Sequence, residues 1–305
     1  MTTGAVPGTA AGSRVLITGA AGGFGAPTVA RLLEQGARVI GLDRSVPEGA
    51  AGEHVLACDI TDDAAVIGAV EAAVERLGGL DAVVHYAGIG IPNDAGGPLA
   101  PDALRVIDVN LLGAWRVTAA ALPALLASRR ERGGQRGRLV FVSSELAYLT
   151  LPFVSAYSVA KRGMTAYADA LRLEYGTDLH VSTVYPGYVR TPIHDAGREM
   201  GLALEGQVRR EEVEDIVGTV LRTLTAARPP RDTAGTRAGS LELWVGRHLP
   251  GLVGAAVARR IRRQAASGHF DGSPLAAGLV DRLASPTPSA ALPRPGRTAT
   301  GRSTR

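Results

Sequence analysis

Tyr157 and Lys161 stand four residues apart in the stretch YSVAK. Lys161 is the only lysine among 33 Lys+Arg, so every other basic position except the histidines is an arginine. On a helix, a spacing of four puts both side chains on one face. An unperturbed tyrosine has a pKa of about 10, too high for a general base near neutrality. A neighbouring ammonium favours the phenolate and lowers that value, at about 1.4 kcal/mol per unit. Lysine suits this task better than arginine, because its compact head can hold a ribose hydroxyl and bias the phenol together. Ser144, thirteen residues before Tyr157, ends the apolar run RLVFVS in the doublet Ser143–Ser144. A hydroxyl there can hydrogen-bond a carbonyl or alkoxide oxygen beside the phenol. The chemistry suggested is proton transfer to or from an alcohol oxygen.

A second constellation is TGAAGGFG, residues 18–25, which holds Thr18, Gly19, Gly23, Phe24 and Gly25. It lies between a short apolar run, RVLIT, and a helical pattern, GAPTVARLLEQG. Glycines there let the backbone approach a pyrophosphate, and the helix N-terminus offers free N–H groups and a positive dipole end. Asp43, 24 residues beyond Gly19, stands near the ~20 expected of the acid that binds a ribose diol. A carboxylate there repels a 2′-phosphate, so NAD(H) is favoured. NADP(H) stays open, because the guanidinium of Arg44 could receive that phosphate. Asp59, with Ile60 beside it, follows the third strand and is placed to contact the adenine.

These groups need a scaffold that brings strand ends together. RVIGL (38–42), HVLAC (54–58), LDAVVHYAG (80–88), RLVFVS (138–143) and HVSTVY (180–185) read as strands, with LELWV (241–245) as a last one. Helical spacing falls between them, at 25–36, 62–79, near 110–128, 156–175 and 211–226. Near-continuous apolar strands alternating with helices predict an α/β fold with a doubly wound parallel sheet, of Rossmann type. One domain over 13–284 is expected, with a flexible leader at 1–12 and a C-terminal helical extension at about 246–284. Residues 285–305, rich in Pro, Ser, Thr, Gly and Arg, are expected to be disordered.

The net charge of +4 comes from the tail. Residues 286–305 carry four arginines and no acid, which leaves 29 basic and 29 acidic residues before them. That distribution argues against a nucleic-acid partner. A single cysteine, Cys58, excludes an intramolecular disulfide. The N-terminus does not read as a signal peptide, and no apolar run approaches the ~20 residues of a membrane span. A cytoplasmic location is therefore expected. GRHLPGLVGAAVARRIRR (246–263) joins an apolar run to arginines; it reads as a helix over the pocket or on a partner subunit, with weak interfacial membrane contact as the alternative. No metal site is expected.

Together these motifs resemble the short-chain dehydrogenase/reductase family over roughly residues 13–245. Thr18–Gly25 matches its TGxxxGxG and Tyr157–Lys161 its YxxxK. The resemblance implies that Ser144, Tyr157 and Lys161 are catalytic, and that Asn110, in DVNLLG, holds a proton-relay water. YPGYVRT (185–191) matches the PGxxxT stretch, so Pro186, Gly187, Val189 and Thr191 are implied at the nicotinamide, with Thr191 on its carboxamide. Ala87 and Gly88 are implied at the cofactor too, although the usual NNAG is here HYAG. His85 is read as a structural substitute that bonds backbone.

The implied reaction is interconversion of a secondary alcohol and a ketone. The loops Glu145–Val154, Gly90–Leu99 and Pro192–Val208 should set specificity, and their apolar content points to a hydrophobic substrate. Glu145, Tyr148, Phe153 and Tyr188 are the expected substrate contacts. The resemblance implies a homodimer or homotetramer formed through the helices near 110–128 and 156–175.

Overall fold

In the computed structural model, residues 10–284 are described, with the exception of Ala203 and Gly206. Most of the expected leader and the expected tail fall outside that range. Seven strands form one sheet: β1 (Arg14–Thr18), β2 (Arg38–Asp43), β3 (Val55–Ala57), β4 (Ala82–His85), β5 (Gly137–Val142), β6 (Leu179–Tyr185) and β7 (Asp232–Ala234). Their order is β3-β2-β1-β4-β5-β6-β7, and every pairing is parallel. Ten α-helices are described: α1 (Gly25–Glu34), α2 (Asp63–Leu77), α3 (Pro101–Ile107), α4 (Ala114–Glu131), α5 (Ser155–Tyr175), α6 (Asp195–Glu199), α7 (Val213–Thr225), α8 (Arg237–His248), α9 (Pro250–Ala266) and α10 (Ala277–Ala284).

Both faces of the sheet are covered, as the apolar strands require. In β5, Leu139 and Phe141 pack with α2, α4 and α5, while Val140 and Val142 pack with α1 and α7. That split is the two-residue period of a strand. The chain reverses its winding between β1 and β4, and such a switch point opens a crevice at the carboxyl ends of the strands. The doubly wound α/β fold expected from the alternation is therefore the one observed.

Two elements differ from expectation. LELWV is not a strand but the middle of α8, whose N-terminus is capped by Thr236 Oγ1 accepting from Gly239 N. Leu243 and Gly246 face inward while Leu241 and Trp244 are exposed, which is helical and not alternating burial. The seventh strand is the short Asp232–Ala234, paired with Thr183–Tyr185 of β6. The helix expected near 110–128 is longer. It runs from α3 into α4 through one π-helical stretch, Asp108–Gly113. That 31-residue span, Pro101–Glu131, is long and apolar enough to cross a membrane by length and composition alone. Its Val117, Ala121 and Leu125 belong to the core under α2, as in a helix packed on a sheet.

Phe141 anchors the larger half of the core. It is fully buried, its ring stacks on His85 at 4.7 Å, and it meets Tyr167 edge-on at 5.8 Å. Phe141→Ala should cost about 3–5 kcal/mol. A urea titration that left the midpoint unchanged would contradict this packing.

Candidate active site

Gly19 begins the turn after β1 with φ +69°, a conformation that glycine adopts without strain. A Cβ there would lie 2.7 Å from Ala87 N, so the turn and the end of β4 touch through backbone alone. A Cβ on Gly23 would lie 2.8 Å from Thr191 Cγ2. The N-terminus of α1 has no side-chain cap. This cradle, beside an uncapped helix N-terminus, fits a dinucleotide's pyrophosphate. Thr18 does not line the cavity; its Oγ1 accepts from Ala87 N at 3.3 Å and so braces the same contact.

Asp43 and Arg44 both line the cavity, as do Asp59 and Ile60. Asp43 is already engaged: Oδ2 accepts from Ala21 N at 3.0 Å and Oδ1 from Ser45 N at 3.1 Å. It therefore ties β2 to the glycine turn while presenting a half-buried carboxylate. Arg44 is exposed. Asp59 accepts from Thr61 N and Oγ1, and these bonds hold its carboxyl below the usual range.

Ser144, Tyr157 and Lys161 meet where α5 crosses the end of β5. Ser144 Oγ accepts from Leu146 N at 3.1 Å, and its hydroxyl lies near enough to the Tyr157 phenol to lower the phenol's pKa. Lys161 Nζ lies 5.6 Å from the centre of the Tyr157 ring and donates to Val142 O at 2.9 Å. The ammonium is buried, and burial lowers its pKa to about 8. The phenol moves the opposite way to expectation. Burial pushes it up to about 12, and Ser144 offsets this only in part. Lys161 does not enter that balance, since an amine near 8 is neutral before a phenol near 12 gives up its proton.

Asn110 lies in the π-helical stretch, fully buried and outside the cavity lining. Its amide clamps the backbone of one residue: Oδ1 accepts from Ile89 N at 2.9 Å and Nδ2 donates to Ile89 O at 2.8 Å. Ile89, Ala87 and Gly88 do line the cavity. His85 bonds a side chain, not backbone as expected: Nε2 meets Thr118 Oγ1 at 2.9 Å, and Nδ1 has no partner among the described residues. Burial lowers its pKa to about 3, so it is neutral.

The cavity, about 600 Å³, runs from the glycine turn past Tyr157 to an apolar end. Pro186, Gly187, Val189 and Thr191 line its middle. Leu146, Val154, Ile193, Leu202, Leu204 and Val208 supply the apolar end, together with Tyr188. His194 also lines it, its ring tilted against Tyr188 at 4.8 Å; the sequence reading passed over this residue inside an apolar loop. Three of the four expected substrate contacts lie elsewhere. Tyr148 packs on Tyr185 under α8, between Arg162 and Arg247. Phe153, at φ +65°, joins Ile261 of α9 and Phe270 in a separate cluster. Glu145 is buried behind the cavity wall.

Two changes test this geometry. Gly19→Ala forces a side chain onto Ala87 at positive φ and should abolish dinucleotide binding; an unchanged titration with NADH would contradict the cradle. Lys161 binds fewer protons folded than unfolded between pH 8 and 10, so wild-type stability should rise with pH across that window. Lys161→Met should lose that rise, read from denaturation midpoints at several pH values.

The family model for short chain dehydrogenase matches residues 13–201. A dehydrogenase/reductase SDR family protein 7-like from Anopheles gambiae is 31% identical over 198 residues, 60% of this chain and 61% of that one. A 3-ketodihydrosphingosine reductase from Bacteroides thetaiotaomicron is 30% identical over 182 residues, 59% of this chain and 65% of that one. The chain thus spans less than two thirds of either relative. The solved 3-ketoacyl-(acyl-carrier-protein) reductase from Brucella melitensis, complexed with NADH, superposes with TM-score 0.62 at 26% identity, over 73% of this chain and 96% of that one. With the family model matched across most of the sheet and through the glycine turn, Ser144, Tyr157 and Lys161, the chain belongs to the short-chain dehydrogenase family.

Proposed function

We propose that this protein is a dinucleotide-dependent oxidoreductase that interconverts a secondary alcohol and a ketone on a hydrophobic molecule. The observation that carries the reading is the meeting of Ser144, Tyr157 and buried Lys161 at one wall of a cavity whose far end is apolar. Bound NAD(H) or NADP(H) would accept or supply the hydride. The glycine turn would hold its pyrophosphate, Asp43 its adenosine ribose and Thr191 its nicotinamide side. Ser144 orients the substrate oxygen, and Tyr157 moves the proton at that oxygen. With its phenol near 12, Tyr157 carries its proton at neutral pH, the form that can donate in ketone reduction.

NAD(H) is the favoured partner, because the Asp43 carboxylate faces the cleft and repels a 2′-phosphate. One observation supports the rival, an NADPH-dependent ketoreductase: exposed Arg44 lines the same corner. A dinucleotide-binding protein without turnover is the remaining alternative. Exposed Leu112 and Trp115 near α4 and Val159 on α5 support a homo-oligomer built on these helices.

Fluorescence titration with NADH and with NADPH separates the first two readings: tighter NADH binding is expected, and the reverse would move the selecting role to Arg44. Tyr157→Phe should abolish turnover on a panel of hydrophobic alcohols and ketones while cofactor affinity stays within about twofold of wild type. A variant with the wild-type rate would remove Tyr157 from the chemistry. Wild-type binding without turnover on the whole panel would favour the non-catalytic reading.

A further inference from the structure

Directly behind Ser144 lies an acid that the proposed chemistry does not use. Glu145 is 3% exposed, and neither of its carboxyl oxygens has a hydrogen-bond partner among the described residues. A buried carboxylate without donors is costly, whereas a neutral acid lacks only an acceptor. Such an acceptor is near. Glu211, 2% exposed, projects into the same space from the segment before α7. Its Oε2 accepts from Gly187 N at 2.9 Å, and its Oε1 accepts from Thr236 N at 3.0 Å and Thr236 Oγ1 at 2.8 Å. Three donors on one carboxyl group suit the ionised form, which accepts only.

The two groups crowd a single point. A Cβ on Gly239, in the first turn of α8, would stand 2.9 Å from Glu211 Oε1 and 3.0 Å from Glu145 Oε1. A Cβ on Gly187 would stand 3.5 Å from Glu145 Oε2. Both acids also reach the wall of the active-site cavity through the backbone. Glu145 N donates to Pro186 O at 2.9 Å, and Glu211 holds Gly187 N.

We propose that Glu145 and Glu211 form a proton-sharing carboxyl pair beneath the active site, in which Glu145 stays protonated and acts as a positioning residue for Ser144 and the Pro186–Gly187 turn. Glu145 supplies the one proton, and Glu211, fixed by its three donors, receives the hydrogen bond. The pair then carries one negative charge, held on Glu211 by its three neutral donors and the Glu145 proton. The pair stands on its own geometry; its effect on cofactor binding rests on the function proposed above.

The charges around Glu145 favour its neutral form. Glu211 faces it from the segment before α7 and Glu242 from α8, and Arg209 is the one cation acting on it. Arg209 is itself committed to Glu242, with Nε 2.8 Å from Oε1. On the α5 side stand Tyr157, near Ser144, and Lys161, bonded to Val142 O. Arg162 and Arg247 are turned onto the Tyr148 ring. Burial first, then Glu242 and Glu211, push the Glu145 acid up to about 8. Above that pH a second negative charge appears beside Glu211, whose carboxylate also holds Gly187 N.

The test compares wild type with Glu145→Gln, which keeps shape and a donor but cannot ionise. Unfolded Glu145 releases its proton near 4.5, and folded Glu145 near 8. Wild type should therefore lose stability relative to the glutamine variant as pH rises through that interval, and the difference in Tm should level off above it. A merely structural glutamate gives a difference independent of pH, which would overturn the pair. NADH titrations read the positioning role. Lys161 loses its charge across the same window in both proteins, so the readout is the difference: if binding needs protonated Glu145, wild-type affinity should fall about tenfold further than the variant's between about pH 6 and about pH 9. A pH-dependent Tm difference with parallel NADH titrations would keep the pair and overturn positioning. Absence of NADH binding at every pH, with the Tm difference intact, would sink the proposed function and not the pair. Should Glu145→Gln fail to fold, Glu242→Gln serves, since Glu242 is half-exposed on α8. It removes a repelling charge and frees Arg209, so the midpoint should fall by about one pH unit; an unmoved midpoint would overturn the assignment.

Discussion

Two hydrogen bonds clasp α5 to the end of β5. Lys161 Nζ donates to Val142 O at 2.9 Å, and Ser143 Oγ donates back to Lys161 O at 3.0 Å. Through this exchange a helix is fixed in rotation and in height against the strand. Tyr157, one turn earlier on the helix, then faces Ser144, one residue further along the strand. Burying an ammonium without a carboxylate partner costs stability, and its lowered pKa measures that cost. An arginine would bring five donors in a rigid fork to a place that offers one described carbonyl acceptor. The single lysine of the chain therefore has a structural reason as well as a chemical one.

The same constraint explains where the remaining site residues come from. A parallel sheet delivers all its carboxyl ends to one edge, so Thr18, Asp43, His85, Val142 and Tyr185 end their strands on the same side. The loops that follow become the cavity wall. At the switch point β1 and β4 must feed neighbouring turns in opposite directions, and only bare backbone at Gly19 lets those turns touch. Asn110 performs the corresponding service one layer out. Its amide pins the Ile89 backbone from a π-helical stretch, which opens the helix at the residue that has to reach inward.

What the sequence disclosed follows from how local each signal is. Strand alternation, the glycine turn and the four-residue spacing of Tyr157 and Lys161 are short-range patterns, and each reappears in space. LELWV misled because a five-residue apolar run satisfies strand and helix alike, and the choice was made by the Thr236 cap and by Gly246 packing on Tyr148. Tyr148 and Phe153 misled for another reason. Aromatic content marks a loop as apolar but not which way it turns, and both rings turned into packing beneath α8 and α9. The partnership of Glu145 with Glu211 was illegible, because it joins two loops distant in the chain through a glycine in a third element.

The directions in which burial moves Tyr157 and Lys161 bear on what the polypeptide alone prefers. A phenol near 12 and an amine near 8 are both displaced toward their neutral forms, as expected where the surroundings solvate charge poorly. At neutral pH the phenol therefore keeps its proton. In the proposed reaction its donating role needs no further charge in the cleft, whereas a phenolate needs added positive charge beside it. That asymmetry is set by the burial of two side chains one helical turn apart.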